Sequence, residues 1–316
     1  MTAAVGPTGD AADATAVRRR ARYLLDREGL LGPALVTPAV VYLLLVVAYP
    51  LVLAFLYAFS DVTTGSQTLR FVGLRTFIAA VQDPVFLTAL RNTVIFTAAS
   101  QALIVVLSTV LAFVLTADFR GRWALRLLVL MPWTTPVALS TVVWLWMLDS
   151  IFSPFDWFAQ VLGLVKPGGH IVFLGQSGTA MGSVIALQTW RIVPLATVIL
   201  MAGLSSISQD IKDAAEVDGA GFWRRLFGIT LPLLSPVMTV ALLFGIVFTF
   251  TDMAVVYVLT GGGPGNATQV LASWAFFKGI NGGNLSVGAA DALFMFPVLL
   301  GLAAIMLRIA SRAEVT

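Results

Sequence analysis

Long apolar runs separated by short polar stretches set the pattern of this chain. A helix that crosses a bilayer needs about 20 predominantly apolar residues. Six stretches meet that length: Leu31–Phe59, Thr93–Leu115, Trp123–Leu148, Ala180–Leu204, Val237–Leu259 and Val287–Ile309. Pro38 and Pro50 predict that the first is kinked or starts late. Pro132 and Pro136 lie in the third. Irregular backbone at membrane depth survives only against other protein, so this span is expected to pack on its neighbours. The predicted fold is an all-α polytopic membrane protein with six transmembrane helices.

Composition narrows the function. Of the 316 residues 59% are hydrophobic and only 11% charged, against about 25% charged in soluble domains. Too little polar surface exists to cover a water-soluble body. The absence of cysteine removes disulfides, thiolate-bound metals and thiol catalysis. His170 is the only histidine, so neither an HExxH zinc site nor a Ser-His-Asp triad can be assembled. It follows Pro167 in a loop and reads as a solvated loop residue.

Charge placement sets orientation. Thirteen of the 19 lysines and arginines fall on the N-terminal arm, the second-to-third loop, the fourth-to-fifth loop and the C-terminus. Five lie on the opposite loops, and Arg191 lies within a span. By the positive-inside rule both termini are expected in the cytoplasm. Residues 1–30 read as a mostly disordered cytoplasmic tail, 31–312 as the membrane domain and 313–316 as a short cytoplasmic tail. Trp144 and Trp146 read as interfacial belt residues.

The loop at 205–232 is long and patterned. Ser206 with Gln209 fits a capping box, and a short helix is predicted from about Asp210 to Asp218. Asp213 and Glu216 sit in its early turns, where the helix dipole favours acids. Ala214 and Ala215 give it a smooth face, and Gly219 permits a sharp turn. A second short helix is expected to carry Phe222, Trp223, Leu226 and Phe227 ahead of Pro232. The loop fits either a grip for another protein or an amphipathic helix lying on the membrane surface.

The pattern Asp213-Ala-Ala…Gly219…Ile229-Thr-Leu231-Pro232 resembles the EAA loop of binding-protein-dependent ATP-binding-cassette importers, with Asp213 where Glu is usual. Leu259-Thr-Gly-Gly-Gly-Pro264, with Thr268 and Trp274-Ala-Phe-Phe277 beyond it, is similar to the maltose-type sugar permeases, and to the first of their two membrane subunits. The resemblance implies that Asp213, Ala214, Ala215, Glu216 and Gly219 dock onto a separate ATPase subunit. It also implies a second homologous permease, two ATPase copies, an extracytoplasmic sugar-binding protein or lipoprotein, and a setting among the lipids of the bacterial cytoplasmic (inner) membrane. The chain itself is then no enzyme and binds no cofactor, ATP and magnesium belonging to the partner. The sequence agrees: its three lysines are followed by Pro, Asp and Gly, so no GxxxxGK[ST] loop can be written. The Gly261–Gly265 run reads as a turn at a span's end.

Charges inside a span cost about 2.5–3.5 kcal/mol at the helix centre on insertion scales, and two stand out. Arg191 precedes Pro194 in the fourth span, and Asp252 follows Thr249 in the fifth. The resemblance places sugar contacts at Arg191, Ile192 and Leu195, and at Gly245, Phe248, Thr249 and Asp252. On the residues alone, an Arg191–Asp252 ion pair without ligand is an equal reading. The sugar itself is not legible; a disaccharide such as trehalose, carried by actinobacterial importers of this type, or another oligosaccharide is expected. Two further classes are open: an intramembrane enzyme built on Asp252 and Asp291, and a stand-alone secondary transporter with inverted repeats or broken helices. Asp291, near the outer end of the last span, is expected to face a headgroup or a loop.

Overall fold

A computed structural model describes residues 28–166 and 168–313. The predicted tail at 1–30 lies almost wholly outside the described residues, as do the last three positions. The rest is helical, with one two-stranded hairpin. The chain divides into two units, 1–56 and 57–316.

The first unit is helical from Glu28, and its apolar part is α1, Gly32–Ala58. Pro33, Pro38 and Pro50 are absorbed within it, and a π-helical turn at Leu44–Ala48 widens its path. Apolar residues such as Leu35, Leu45 and Val52 are more than half exposed. A helix apolar on every side belongs in hydrocarbon or against another membrane helix.

The second unit opens with the antiparallel hairpin β1 (Ser60–Thr63) and β2 (Ser66–Phe71), then α2 (Arg75–Gln82). The second span is α3, Pro84–Thr116, nine residues longer at its start than the apolar run suggested. Pro84 sits in its first turn, where no amide partner is needed. Asp83 caps it, its carboxylate accepting from the Val85 N–H at 2.9 Å.

The third span is not one helix. It divides into α4 (Arg122–Thr134) and α5 (Val137–Met147), bent by 101°. Pro136 lacks an amide and disfavours helical backbone at Thr135, whose φ and ψ are extended. A short α6 (Pro154–Val161) follows, capped by Ser153. The fourth span, α7 (Ser177–Ser206), runs unbroken through Pro194.

In the loop, α8 covers Gln209–Val217. The capping box is absent: Ser206 Oγ donates to the Gly203 carbonyl, and Gln209 Nε2 donates to Asp213 Oδ1 at 2.9 Å. Gly219 adopts φ +70°, the left-handed turn expected of it. The second short helix does not stand alone, since Phe222 opens α9, Phe222–Phe250, which is the fifth span. Pro232 falls just after a π-helical turn, Leu226–Thr230, and is absorbed near the start of the following segment.

The predicted fifth span, Val237–Leu259, breaks after Phe250; Thr251, Asp252 and Met253 separate α9 from α10 (Ala254–Leu259). Beyond the glycine turn come α11 (Leu271–Phe276), a π-helical turn (Phe277–Asn281) and the last span, α12 (Leu285–Ala313). The hairpin is tied to the start of α12: the Val62 N–H donates to Ser286 Oγ at 2.6 Å and the Thr64 N–H to the Gly283 carbonyl at 2.9 Å.

Helices α3 and α7 form the centre of this unit. Within hydrocarbon, packing and hydrogen bonds rather than water exclusion hold helices together, which favours small residues at contacts. Ala89, Ser100 and Ala112 on α3 and Ala180, Ser183 and Ala196 on α7 are all buried. Gly203 lets α9 approach closely: a Cβ there would stand 2.9 Å from Leu234 and Val237 side-chain carbons.

Candidate functional site

The break in the fifth span lies beside the middle of the fourth. The Asp252 carboxylate pairs with the Arg191 guanidinium, both side chains being almost wholly buried. Its other oxygen accepts from the Val255 N–H at 2.9 Å, satisfying one of the free amides that open α10. One carboxylate thus caps a helix and neutralises a cation. The guanidinium Nε has no hydrogen-bond partner among the described residues.

One turn back, Thr249 is fully buried and accepts from two amides, Gln101 Nε2 on α3 and Gln188 Nε2 on α7, each at 3.2 Å. Three helices meet at this hydroxyl. The oxygens of both glutamines, and the hydroxyls of Thr97, Ser100 and Thr189, have no hydrogen-bond partner among the described residues. The bundle centre therefore holds hydrogen-bonding capacity its own groups do not use.

The seven residues expected to contact sugar differ in their surroundings. Arg191 and Asp252 come together. Ile192 is buried in an apolar cluster with Ile104, Ala196 and Ala241, and Leu195 is half-buried. Gly245 turns towards Gln101, whose Oε1 would stand 2.4 Å from a Cβ at that position. Phe248 is 40% exposed and meets Trp133 edge-on, the ring centroids 5.6 Å apart. Because α9 ends at Phe250, Asp252 does not lie on the same helix as Gly245, Phe248 and Thr249. Reasoning from sequence missed Gln101, Gln188 and Trp133. Gln101 follows Thr97 and Ser100 within an otherwise apolar run, a polar face at helical spacing that marks it.

An apolar cavity lies elsewhere. It holds about 580 Å³ between α3, α4 and α7, and its walls include Leu107, Leu128, Pro132, Trp190 and Pro194. Such walls suit an acyl chain and offer a sugar almost nothing to bind.

On the loop, Asp213, Ala214, Glu216 and Gly219 are exposed, while Ala215 is buried and anchors α8. Glu216 pairs loosely with Arg225 at 3.5 Å, a contact too exposed to add much. Val217 is almost fully exposed, so α8 offers an uncovered face. The Gly261–Gly265 turn is closed on itself: Thr268 Oγ1 donates to the Gly263 carbonyl at 2.7 Å, and the Thr268 N–H donates to the Gly262 carbonyl at 3.1 Å.

Three other residues differ from expectation. Asp291 is wholly buried, because α2, α11 and the Phe277–Asn281 turn cover the start of α12. Neither of its oxygens has a hydrogen-bond partner among the described residues, and Asp83 and Lys278 are its electrostatic neighbours. Lys278 binds Asp83 at 2.9 Å and lies over the Trp274 ring. Burial alone would raise the Asp83 pKa, but Lys278 and the Val85 and Phe86 amides outweigh it and hold the carboxylate below its ordinary range. Asp252, paired with Arg191, and Asp291, beside Asp83 and Lys278, thus lie in different surroundings and make no catalytic dyad. His170 is not merely solvated, since its Nδ1 lies 2.7 Å from Asp156 Oδ2. Trp144 packs inward on Trp190 and Phe155, leaving Trp146 exposed.

Residues 104–314 match the family described as binding-protein-dependent transport system inner membrane component. The chain belongs to that family: it is a membrane permease subunit of an ATP-binding-cassette importer and not an enzyme. It is 32% identical to the trehalose/maltose transport system permease protein MalF of Thermococcus litoralis, over 90% of this chain and 94% of that one. It is 30% identical to the sulfoquinovosyl glycerol transport system permease protein SmoG of Agrobacterium fabrum, over 92% and 94%. A crystal structure of a bacterial alginate importer, in complex with its alginate pentasaccharide-bound periplasmic protein, contains a chain of the same fold. The TM-score is 0.76, with 19% identity, covering 91% of this chain and 96% of that one.

The broken third span is a feature that the secondary-transporter reading asked for and the sequence did not disclose. Family membership decides against that reading, since importers of this class are driven by a separate ATPase.

Proposed function

We propose that this subunit imports a sugar, a disaccharide such as trehalose or another oligosaccharide, by alternating access driven from outside the chain. The observation that carries it is the buried Arg191–Asp252 pair at the break of the fifth span, next to unused hydrogen-bonding groups and the half-exposed Phe248 and Trp133. Guanidinium, carboxylate and amide groups match sugar hydroxyls, and an aromatic ring covers the apolar face of a pyranose. The relatives named for trehalose/maltose and sulfoquinovosyl glycerol support a glycoside as cargo.

In this reading a homologous second permease completes the pathway, and an extracytoplasmic binding protein or lipoprotein delivers sugar to the outer loops. Two ATPase subunits sit inside and hold ATP and magnesium. Both termini are cytoplasmic, as the charge placement requires. The α8 helix with Gly219 fits a cleft on the ATPase, with Asp213, Ala214 and Glu216 on its uncovered side and Ala215 fixing it to the permease. Closure of the ATPase pair draws the α8 helices together and turns the cavity outward; hydrolysis returns it to the cytoplasm.

The test is ATP-dependent uptake of labelled trehalose, maltose and longer glucosides by vesicles holding the assembled transporter. Accumulation of one of these, abolished when the ATPase is omitted, is expected. Uptake that persists without the ATPase overturns the coupling, and stimulation only by a non-sugar overturns the cargo.

A further inference from the structure

The polar side of α6 is consumed internally. Asp156 is buried and accepts from the Ile171 N–H at 2.8 Å and from Gln160 Nε2 at 2.9 Å, with His170 Nδ1 at 2.7 Å. Gln160 also donates to the Gly169 carbonyl at 3.0 Å, and Ser153 caps the helix. Phe155 packs on Trp144 and Phe173. The helix is thereby bolted to the end of α5 and to the loop at 168–173.

Its other side is apolar and uncovered. Ile151, Phe152, Trp157, Phe158, Val161 and Leu162 are each more than half exposed. An exposed apolar group of this size on a fixed element marks a contact with something other than water. The surface is continuous with the membrane-facing side of α5, where Val142, Val143 and Trp146 are exposed as well. Trp146, near the end of α5, is of the residue type that gathers at bilayer boundaries. No acidic side chain lies on the bared face of α6 itself, and the exposed Lys166 follows it.

We infer that α6 is an interfacial anchor that lies in the outer leaflet, its Trp157–Phe158–Val161 face among the upper acyl chains and Lys166 at the level of anionic headgroups. Amphipathic helices seated this way bury their apolar face by about 5–10 Å at the headgroup boundary. The anchor fixes the depth of α5, the outer half of the broken third span, while α4 remains free to change angle across the bend. This inference does not rest on the identity of the cargo.

Because the chain has no cysteine, a nitroxide at Phe158→Cys or Val161→Cys is unique within this subunit. The assembled transporter would be placed in vesicles of phosphatidylcholine with a minority of phosphatidylglycerol, with a label at the exposed hairpin residue Ser66→Cys as the aqueous reference. The α6 labels are expected to collide freely with oxygen and several-fold less with a water-soluble nickel chelate than the reference. Nickel accessibility equal to the reference would place the face in water and overturn the inference. Exclusion of both relaxants at both positions would mean that another protein subunit covers it, and would overturn the inference too.

Discussion

Gln101 lies flat against Gly245: a single added methyl on the glycine would stand 2.4 Å from the amide oxygen. The second and fifth spans approach at this point because one side has no side chain, and the same amide then reaches Thr249. Gly245→Ala is expected to destabilise the subunit by about 1–3 kcal/mol through overpacking, with loss of transport. Adding Gln101→Ala makes room for the methyl. The double variant should be more stable than the sum of the single effects predicts, as read by thermal unfolding in detergent. Strict additivity would show that the two residues do not press on one another.

The Arg191–Asp252 pair separates structure from transport. Asp252→Asn leaves a buried guanidinium uncompensated and is expected to cost about 3–5 kcal/mol. Arg191→Gln combined with Asp252→Asn removes both charges and should recover most of that stability. If the pair also handles sugar, uptake stays low in the double variant although the complex assembles. Restored uptake would reduce the pair to a structural tie.

Gly219 holds φ +70° with open space around it. Gly219→Val therefore costs about 1–2 kcal/mol of local backbone strain and leaves the membrane bundle untouched. Insertion and thermal stability should change little while ATP-driven uptake falls sharply, as measured in vesicles with the ATPase present. Gly219→Asn, which tolerates the left-handed region better, should retain more activity than Val. Equal activity of both with the parent would remove α8 from the coupling route.

Asp156 is held below the ordinary carboxylate range, first by the Ile171 N–H and then by His170, against the opposing effect of burial. A carboxylate so lowered contributes its stabilisation at and above its ordinary pKa and loses it as pH falls through the lowered value. Exchange of the Ile171 amide, corrected for its intrinsic rate, should stay constant from neutral pH to about 5 and rise only below about 4. Deprotection near neutral pH would show that the carboxylate does not hold the loop.

The sequence disclosed what depends on apolar length and on single special residues. The apolar runs disclosed the spans' existence and order but not their bounds, and the Gly219 turn followed from the one residue suited to left-handed backbone. It hid what depends on tertiary partners. The third span carries two prolines four apart, yet α7 absorbs Pro194 without breaking while α4 and α5 part at Pro136. The Asp252 break is invisible to hydropathy because Val255–Leu259 restores the apolar average at once. Gln101 and Gln188 are isolated amides until folding brings them to one hydroxyl, and Asp291 looks peripheral until α11 and its π-helical turn close over it.

The bond from the Val62 amide to Ser286 joins residues 224 positions apart. At a synthesis rate of roughly 5–20 residues per second, the earlier partner waits about 10–45 s for the later one to be made. The β-hairpin therefore sits beyond the bilayer with its tether unmade while every intervening segment is threaded. Knotting it to the final helix is a late step of biogenesis, and a polypeptide truncated before that helix would leave the translocon with this clasp unfastened.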